Sequence, residues 1–229
     1  MPGAFARGRV LWYTVRVQRA GGSPPASSEE GTRVIWLIRH GQTNMNIARR
    51  LQGRRDEPLN ETGREQAKKA AEWFRSRGIR FDRVISSPLQ RAADTARILA
   101  GEDVPFRTDD RLMEIDCGPW EGADLRDPAP ELGLFFSDLF HNPAPEGMET
   151  LSHVTARLGA FLSDLKGEIG PEETVLVSTH AIALKGALEN LDPRPDGGWW
   201  NYPVHNCCGY VFSLLNGAYT KPAEYDTQN

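Results

Sequence analysis

Apolar runs of strand length alternate with amphipathic stretches along the chain from about residue 33 onward. Residues 34–38 read Val-Ile-Trp-Leu-Ile, a continuous apolar run that is typical of a strand covered on both faces. Patterns at 81–86, 175–178 and 210–215 predict three further strands. Because these strands alternate with helical segments, we expect an α/β fold, a three-layer sandwich around a mostly parallel central sheet.

Helix-capping patterns and the spacing of apolar residues indicate the helices of the outer layers. The sequence Thr-Gly-Arg-Glu at 62–65 matches a capping box, and Gly78 is placed to end the helix that follows. Ser87 followed by Pro88 is typical of a helix start with proline in the first turn. The longest amphipathic segment, 149–166, predicts a helix with one buried apolar face.

Length and composition restrict the class of protein. The chain has 229 residues and 39% hydrophobic and 25% charged residues, which is room for one substantial domain of ordinary globular composition. No apolar run approaches the roughly 18 residues of a membrane span, so we expect no membrane partner. Residues 1–32 contain arginines, no acid before Glu29 and a linker-like Gly/Ser/Pro stretch. We expect a disordered extension there, with a transit peptide as the alternative, and a domain over 33–229.

Net charge and cysteine usage bear on nucleic-acid binding, on the cellular compartment and on metal binding. The net charge of −4 does not favour a nucleic-acid surface. The odd cysteine count, with Cys207 and Cys208 adjacent and Cys117 apart, favours a reducing compartment, and we expect a cytoplasmic protein. The Cys and His spacings match no zinc site, so we expect neither a metal nor another cofactor. The oligomeric state is left open.

Candidate chemistry lies where the predicted strands end. Arg39 and His40 follow the strand at 34–38, and His180 follows the strand at 175–178. Arg91 lies in the helix after the strand at 81–86. In open α/β sheets, sites gather at the carboxyl ends of the strands. If the three strands are neighbours, two histidines and two arginines share one pocket.

Such a group of side chains is suited to phosphoryl transfer. Guanidinium groups offer planar, bidentate donors to phosphate oxygens, and a neutral imidazole can attack phosphorus. A leaving alkoxide also requires an acid. Each residue alone has a simpler interpretation, because a single histidine after a strand or a single arginine on a helix is more often structural.

Five blocks of residues, in order along the chain, resemble the histidine phosphatase superfamily, the phosphoglycerate mutase-like proteins. The first reads Leu-Ile-Arg-His-Gly-Gln-Thr at 37–43, with Asn46 shortly after it. The other blocks lie at 52–67, 86–92, 112–122 and 178–181. The resemblance covers about residues 32 to 215 and implies this family's fold. Position 42 is Gln where many members have Glu, and we infer no loss of activity from it.

The resemblance also implies the site residues. His40 would be the nucleophile that becomes phosphohistidine, Arg39, Arg91 and His180 would hold the phosphoryl group, and Glu114 would be the proton donor. Sequence logic from the residues themselves does not single out Glu114. Contacts to phosphate or substrate are expected from Asn46, Gln52, Gly53 and Ala181.

Members of this family are phosphatases or mutases, and mutases need basic residues for a second phosphate. Between Glu114 and His180 the basic residues are Arg126, Arg157 and Lys166, and the last two are expected on the outer face of their helix. Arg54 and Arg55 lie elsewhere and could bind another anionic group. We therefore expect a metal-independent phosphomonoesterase acting on a small phosphorylated metabolite. A phosphoglycerate-type mutase is the first alternative and a non-catalytic module that binds a phosphorylated ligand is the second.

The segment 123–147 is expected to be a short cap. It is rich in large apolar residues and prolines, and it forms either a helix packed on the domain or a lid that sets leaving-group preference. Trp199 and Trp200 either line the pocket rim or pack in the core.

Overall fold

A mixed sheet of seven strands organises residues 33–228, the part of the chain that the computed structural model describes. The predicted disordered extension over 1–32 lies outside these residues. The strands are β1 (Arg33–Arg39), β2 (Arg83–Ser86), β3 (Phe106–Thr108), β4 (Thr174–Thr179), β5 (Gly209–Leu215), β6 (Ala218–Tyr219) and β7 (Ala223–Tyr225). The helices are α1 (Asn44–Ile47), α2 (Glu61–Ser76), α3 (Gln90–Ala100), α4 (Pro130–Ser137), α5 (Leu151–Glu168), α6 (Ala181–Leu191) and α7 (Gly198–Asn201).

The strand order along the sheet is β3-β2-β4-β1-β5-β6, with β7 paired to β5. The first four strands of this order run parallel, and β5 pairs with β1 in the antiparallel direction. All six residues of β4 are buried, which agrees with its apolar run. The mostly parallel sheet is confirmed, while the short strands β3, β6 and β7 are additions that the sequence pattern did not indicate.

The sheet is covered on both faces, as predicted for three layers. On one face, Ile35 and Leu37 of β1 belong to a core cluster with the apolar residues of α5 and α6. On the other face, Ile38 packs with alanines and Phe74 of α2 and with Leu99 of α3. Successive side chains of a strand point to opposite faces, so one apolar run supplies both cores.

Two helix starts differ from the sequence prediction. The N-cap of α2 is Asn60, whose side chain accepts a hydrogen bond from the backbone N–H of Gly63 at 2.8 Å, so the predicted Thr62 box is wrong. Helix α3 begins at Gln90, and Ser87 does not cap it. The Ser87 hydroxyl instead contacts His180. Gly78, with φ of 66°, follows α2 as expected.

The cap segment contains α4, which packs on the domain. Leu132 and Phe135 are buried in the main core, whereas Leu134, Phe136 and Phe140 are exposed. Trp199 and Trp200 are buried, as their packing interpretation predicts. Among residues 33–228, no helix is long and apolar enough to cross a membrane.

The loop after β1 approaches α2 closely, and two glycines allow this. A Cβ at Gly41 would lie 2.5 Å from the carbonyl oxygen of Gly63, and a Cβ at Gly63 would overlap the carbonyl oxygen of Gln42. Because the opposing atoms are backbone, neither clash can be relieved by a side-chain movement.

We expect Gly63→Ala to lower the free energy of unfolding by about 1–3 kcal/mol, as overpacking does. Gly167→Ala is the matched control, since Gly167 also lies in a helix and a Cβ there meets no atom within 4 Å. That control is expected to gain about 0.5–1 kcal/mol from helix propensity. Urea unfolding followed by circular dichroism measures both, and equal stability of the two variants would contradict the close approach.

Candidate active site

Adjacent strands place the two histidines side by side. Arg39 of β1 is in register with Thr179 of β4, and the backbone N–H of His40 donates to the carbonyl of Thr179 at 3.0 Å. The imidazole rings of His40 and His180 lie with centroids 5.1 Å apart, and both side chains are buried. The carboxyl ends of two neighbouring parallel strands thus deliver both rings to one point.

Arg91 joins the two histidines. Its Nε donates to Nε2 of His40 at 3.3 Å and to Nδ1 of His180 at 3.2 Å. The terminal nitrogens donate to the carbonyls of Gly53 at 2.7 Å and Arg55 at 2.9 Å. The side chain is fully buried, so the loop carbonyls replace the water that a guanidinium loses.

Arg39 lies in the same buried region. Its Nη1 donates to the carbonyl of Val204 at 2.5 Å, and its Nε has no hydrogen-bond partner within residues 33–228. Burial lowers the pKa of this guanidinium, and the nearby Glu114 opposes that shift. The expected convergence of two histidines and two arginines is therefore present.

The hydrogen bonds define which ring nitrogens carry protons. Nδ1 of His40 lies 2.6 Å from the carbonyl oxygen of Gly41, which can only accept, so Nδ1 holds the proton. The lone pair of His40 is then on Nε2, where Arg91 donates to it. On His180, Nδ1 accepts from Arg91 and Nε2 donates to the Ser87 hydroxyl at 2.8 Å.

Both histidines are held neutral. Burial first, and then the positive charges of Arg91 and Arg39, lower the pKa of His40 well below 6.5. Burial and Arg91 lower the pKa of His180 in the same direction. Burial also lowers the pKa of Arg91 to about 10, which leaves it charged at pH 7. The cluster thus combines neutral imidazoles, a form in which histidine can act as a nucleophile, with fixed positive charge.

Glu114 lies against the amino end of α6, the helix that begins directly after His180. Its carboxylate accepts from the backbone N–H of Ala183 at 3.0 Å, of Ile182 at 3.1 Å and of Ile115 at 3.0 Å. A helix N-terminus favours an acidic side chain. The carboxylate is buried beside the cluster, and it does not hydrogen bond to either histidine.

The expected substrate contacts are arranged around Gln52. Its Oε1 accepts from the Thr43 hydroxyl at 2.8 Å and from Nδ2 of Asn46 at 3.3 Å. Its Nε2 is buried and has no partner in the described part of the chain. The backbone N–H of Gly53 donates to Glu121 at 2.9 Å, so that N–H is occupied rather than directed at a substrate. Ala181 is the first residue of α6, next to His180.

Further residues hold the cluster in place, and sequence reasoning assigned this role to neither Ser87 nor Thr95. Ser87 binds His180, and Thr95 accepts from the backbone N–H of Gly41 at 3.0 Å. Nδ2 of Asn206 donates to the carbonyl of His40 at 2.8 Å. Thr95 lies on the buried face of α3, and a hydroxyl among buried alanines is a signal that could have identified it.

Two of the arginines considered for a second anionic group, Arg54 and Arg157, pair with carboxylates. Arg157 was expected on the outer face of its helix, which is wrong, since only 9% of its side chain is exposed and it pairs with Glu149. Arg54 pairs with Asp116 and Glu149. Lys166 is exposed, as expected. Among residues 33–228, no group of three or more His, Cys, Asp or Glu side chains could hold a metal ion.

A buried His-Arg-His cluster at the carboxyl edge of a three-layer α/β sheet is suited to binding and transferring a phosphoryl group. The sequence profile of the histidine phosphatase superfamily (branch 1) matches residues 35–223. The chain therefore belongs to the histidine phosphatase superfamily and is an enzyme of its phosphatase kind.

Relatives from three sources show this similarity. The chain is 31% identical over 188 residues to an adenosylcobalamin/alpha-ribazole phosphatase of Salmonella typhimurium, covering 80% of this chain and 91% of that protein. It is 33% identical over 178 residues to a protein of Yersinia pestis named as a probable phosphoglycerate mutase, covering 76% and 81%. Among solved structures, a mycobacterial glucosyl-3-phosphoglycerate phosphatase has a TM-score of 0.70 at 29% identity, covering 85% and 98%.

We expect the imidazoles of His40 and His180 to titrate with midpoints well below pH 6.5, because burial and two guanidinium groups oppose their protonation. Both rings are then neutral at pH 7 and gain charge only as the pH falls through the lowered values. Proton NMR of the ring signals, assigned with His40→Asn, measures this. Added inorganic phosphate should raise the midpoint of His180, since an anion favours the charged ring. A midpoint at or above 6.5 without phosphate would contradict the assignment.

Proposed function

We propose that the chain is a metal-independent phosphomonoesterase that works through a phosphohistidine on His40. The observation that carries this proposal is the Arg91 guanidinium, whose Nε donates to Nε2 of His40 and to Nδ1 of His180. A phosphoryl group bound by this arginine would lie beside the lone pair of His40. The positive charge comes from side chains of the chain itself, so the proposed reaction requires no metal ion.

In the first step, Nε2 of His40 attacks phosphorus, and the bond between phosphorus and the leaving oxygen breaks. The ring keeps its Nδ1 proton. The Nδ1–H donates a hydrogen bond to the carbonyl of Gly41, which stabilises the positive charge formed on the ring. Arg39, Arg91 and His180 bind the equatorial oxygens, where the charge of the transition state is located. For His180 this requires a second ring proton on Nδ1, which the ring takes up from solvent when the phosphoryl anion binds and returns when phosphate leaves.

Glu114 is proposed to give a proton to the leaving oxygen in that step. In the second step its carboxylate accepts a proton from water, the water oxygen attacks phosphorus, and the bond from phosphorus to His40 breaks. Inorganic phosphate and neutral His40 are restored, and atoms and charges balance. To reach the leaving oxygen, the Glu114 carboxyl must give up at least one hydrogen bond from the N-terminus of α6 and form one to that oxygen.

The substrate is proposed to be a small phosphorylated metabolite. Candidates are a sugar phosphate, a phosphoglycerate-like acid or a riboside phosphate such as α-ribazole phosphate, and the names of the related phosphatases support this range. The mutase alternative is favoured by the Yersinia relative. Against it, Arg54 and Arg157 are bound to carboxylates. The Arg55 guanidinium has no ion-pair or hydrogen-bond partner within 33–228, and it lines an open cleft of about 390 Å³ with Arg50.

We expect incubation with a labelled phosphomonoester in the presence of chelator to give an acid-labile phosphoryl enzyme and release of phosphate. His40→Ala should lose turnover by on the order of 10³-fold or more, because only binding and electrostatics remain. His141→Ala is the control, since that exposed histidine pairs with Asp138 in its own loop. Full turnover in His40→Ala would refute the proposal. Phosphate binding without turnover would indicate the binding module, and isomerised product dependent on a bisphosphate would indicate the mutase.

Glu114→Gln should slow hydrolysis of alkyl phosphates by about 10²–10⁴-fold, the usual contribution of a general acid. An aryl phosphate such as p-nitrophenyl phosphate should change by about 10-fold at most, because its leaving group departs without a proton. Glutamine keeps an oxygen for the N–H groups of α6. Glu121→Gln is the control from the same loop and should affect both esters equally. An equal loss on both esters in Glu114→Gln would argue against the acid role.

A further inference from the structure

A buried ion pair outside the histidine cluster has no role in the reaction described above. Arg157 of α5 donates from Nε to Glu149 Oε1 at 2.8 Å and from Nη2 to Oε2 at 3.1 Å. The side chains are 9% and 4% exposed. Buried ion pairs add little stability relative to apolar packing, because both charges lose water. Their location therefore suggests a role other than stability.

Both members of the pair bind the backbone that carries Glu114. Nη1 of Arg157 donates to the carbonyls of Arg111 at 2.5 Å and Met113 at 2.6 Å. Glu149 Oε2 accepts from the backbone N–H of Asp116 at 3.0 Å. The hydrogen bonds thus hold the chain immediately before and after Glu114.

No regular secondary structure holds this backbone. Between the short 3-10 turns at Asp110–Leu112 and Gly118–Trp120, residues 113–117 form neither helix nor strand. Buried carbonyl and N–H groups in such a segment need partners from elsewhere. A guanidinium is suited to this, because its planar donors can serve a carboxylate and two carbonyls at once.

A third residue, Arg54, connects the same pair to the loop that binds Arg91. Arg54 contacts Asp116 at 3.3 Å and Glu149 at 3.5 Å. It follows Gly53, whose carbonyl accepts from Arg91. The loop that surrounds Arg91 and the loop that carries Glu114 are therefore joined through Glu149.

We propose that Arg157 and Glu149 are positioning residues that hold Glu114 at the distance from His40 required for proton transfer to the leaving group. The inference rests on the proposed function, in which Glu114 is the acid. Neither residue touches the substrate. Their loss acts through Glu114, so it should impair the step that needs a proton and spare the step that does not.

The test is hydrolysis of an alkyl and an aryl phosphomonoester by Arg157→Lys and Glu149→Gln. Lysine keeps the charge, but its single nitrogen cannot reproduce the fork of donors. We expect kcat on the alkyl ester to fall about 10-fold or more, and kcat on the aryl ester to change about 3-fold at most, since only the former needs the acid. KM should change little for either ester.

A double-mutant cycle with Glu114→Gln gives a second reading. If Arg157 acts through Glu114, then Glu114→Gln/Arg157→Lys should be no slower on the alkyl ester than Glu114→Gln alone. Arg111→Met is the matched control, because its side chain pairs with Asp109 and Asp164 and leaves the carbonyl of residue 111 in place. It should affect the two esters equally. Thermal unfolding verifies that each variant is folded. If Arg157→Lys does not fold, Glu149→Gln provides the test.

Equal losses on both esters, or additive losses in the cycle, would show that the pair is only structural and would overturn the inference. Failure of the proposed function gives a different result. In that case Glu114→Gln itself slows the alkyl and the aryl ester equally, and the inference fails together with the acid role.

Discussion

The burial of the Arg91 guanidinium is the constraint on which the rest of the site depends. A charged group without water is costly unless hydrogen bonds and nearby charges compensate the lost hydration. Here the acceptors are two ring nitrogens and two loop carbonyls, contributed by the ends of β1 and β4 and by the loop at 53–55. Those partners come from distant parts of the chain, so the strand register and the loop conformation must be correct together.

The same burial explains how the histidines remain neutral. Burial and two guanidinium groups disfavour a third positive charge, so the pKa of each ring falls and the lone pair of His40 carries no proton. A phosphoryl dianion reverses this balance, because its charge compensates Arg39 and Arg91 and favours protonation of His180. The two guanidinium groups and the neutral rings make the pocket complementary to an anion. This local charge matters in a chain whose net charge is −4.

Much of this arrangement could be predicted from residue patterns, because apolar runs identify buried strands and parallel strands share one functional edge. Arg157 shows where that reasoning fails. Its spacing from Val154 and Phe161 places it toward the buried face of α5, but a charged residue is by default assigned to solvent. Its carboxylate and carbonyl partners come from residues 111–149, and no local pattern reveals them. Glu114 has the same difficulty, since it lies in a loop without periodicity and was identified only by family resemblance.

The distribution of partners among the arginines bears on the number of phosphate groups the site can hold. Arg54 and Arg157 are committed to Glu149, and Arg39 and Arg91 lie at the histidines. A mutase must hold two phosphates at once and needs basic residues beyond those that bind the transferring group. Releasing Arg157 for that purpose would leave Glu149 buried without its main partner, which costs several kcal/mol (roughly 3–5). It would also free the backbone that carries Glu114. The carboxylates that order the loop carrying Glu114 thus neutralise Arg54 and Arg157, so a second phosphate would depend on Arg55 in the open cleft.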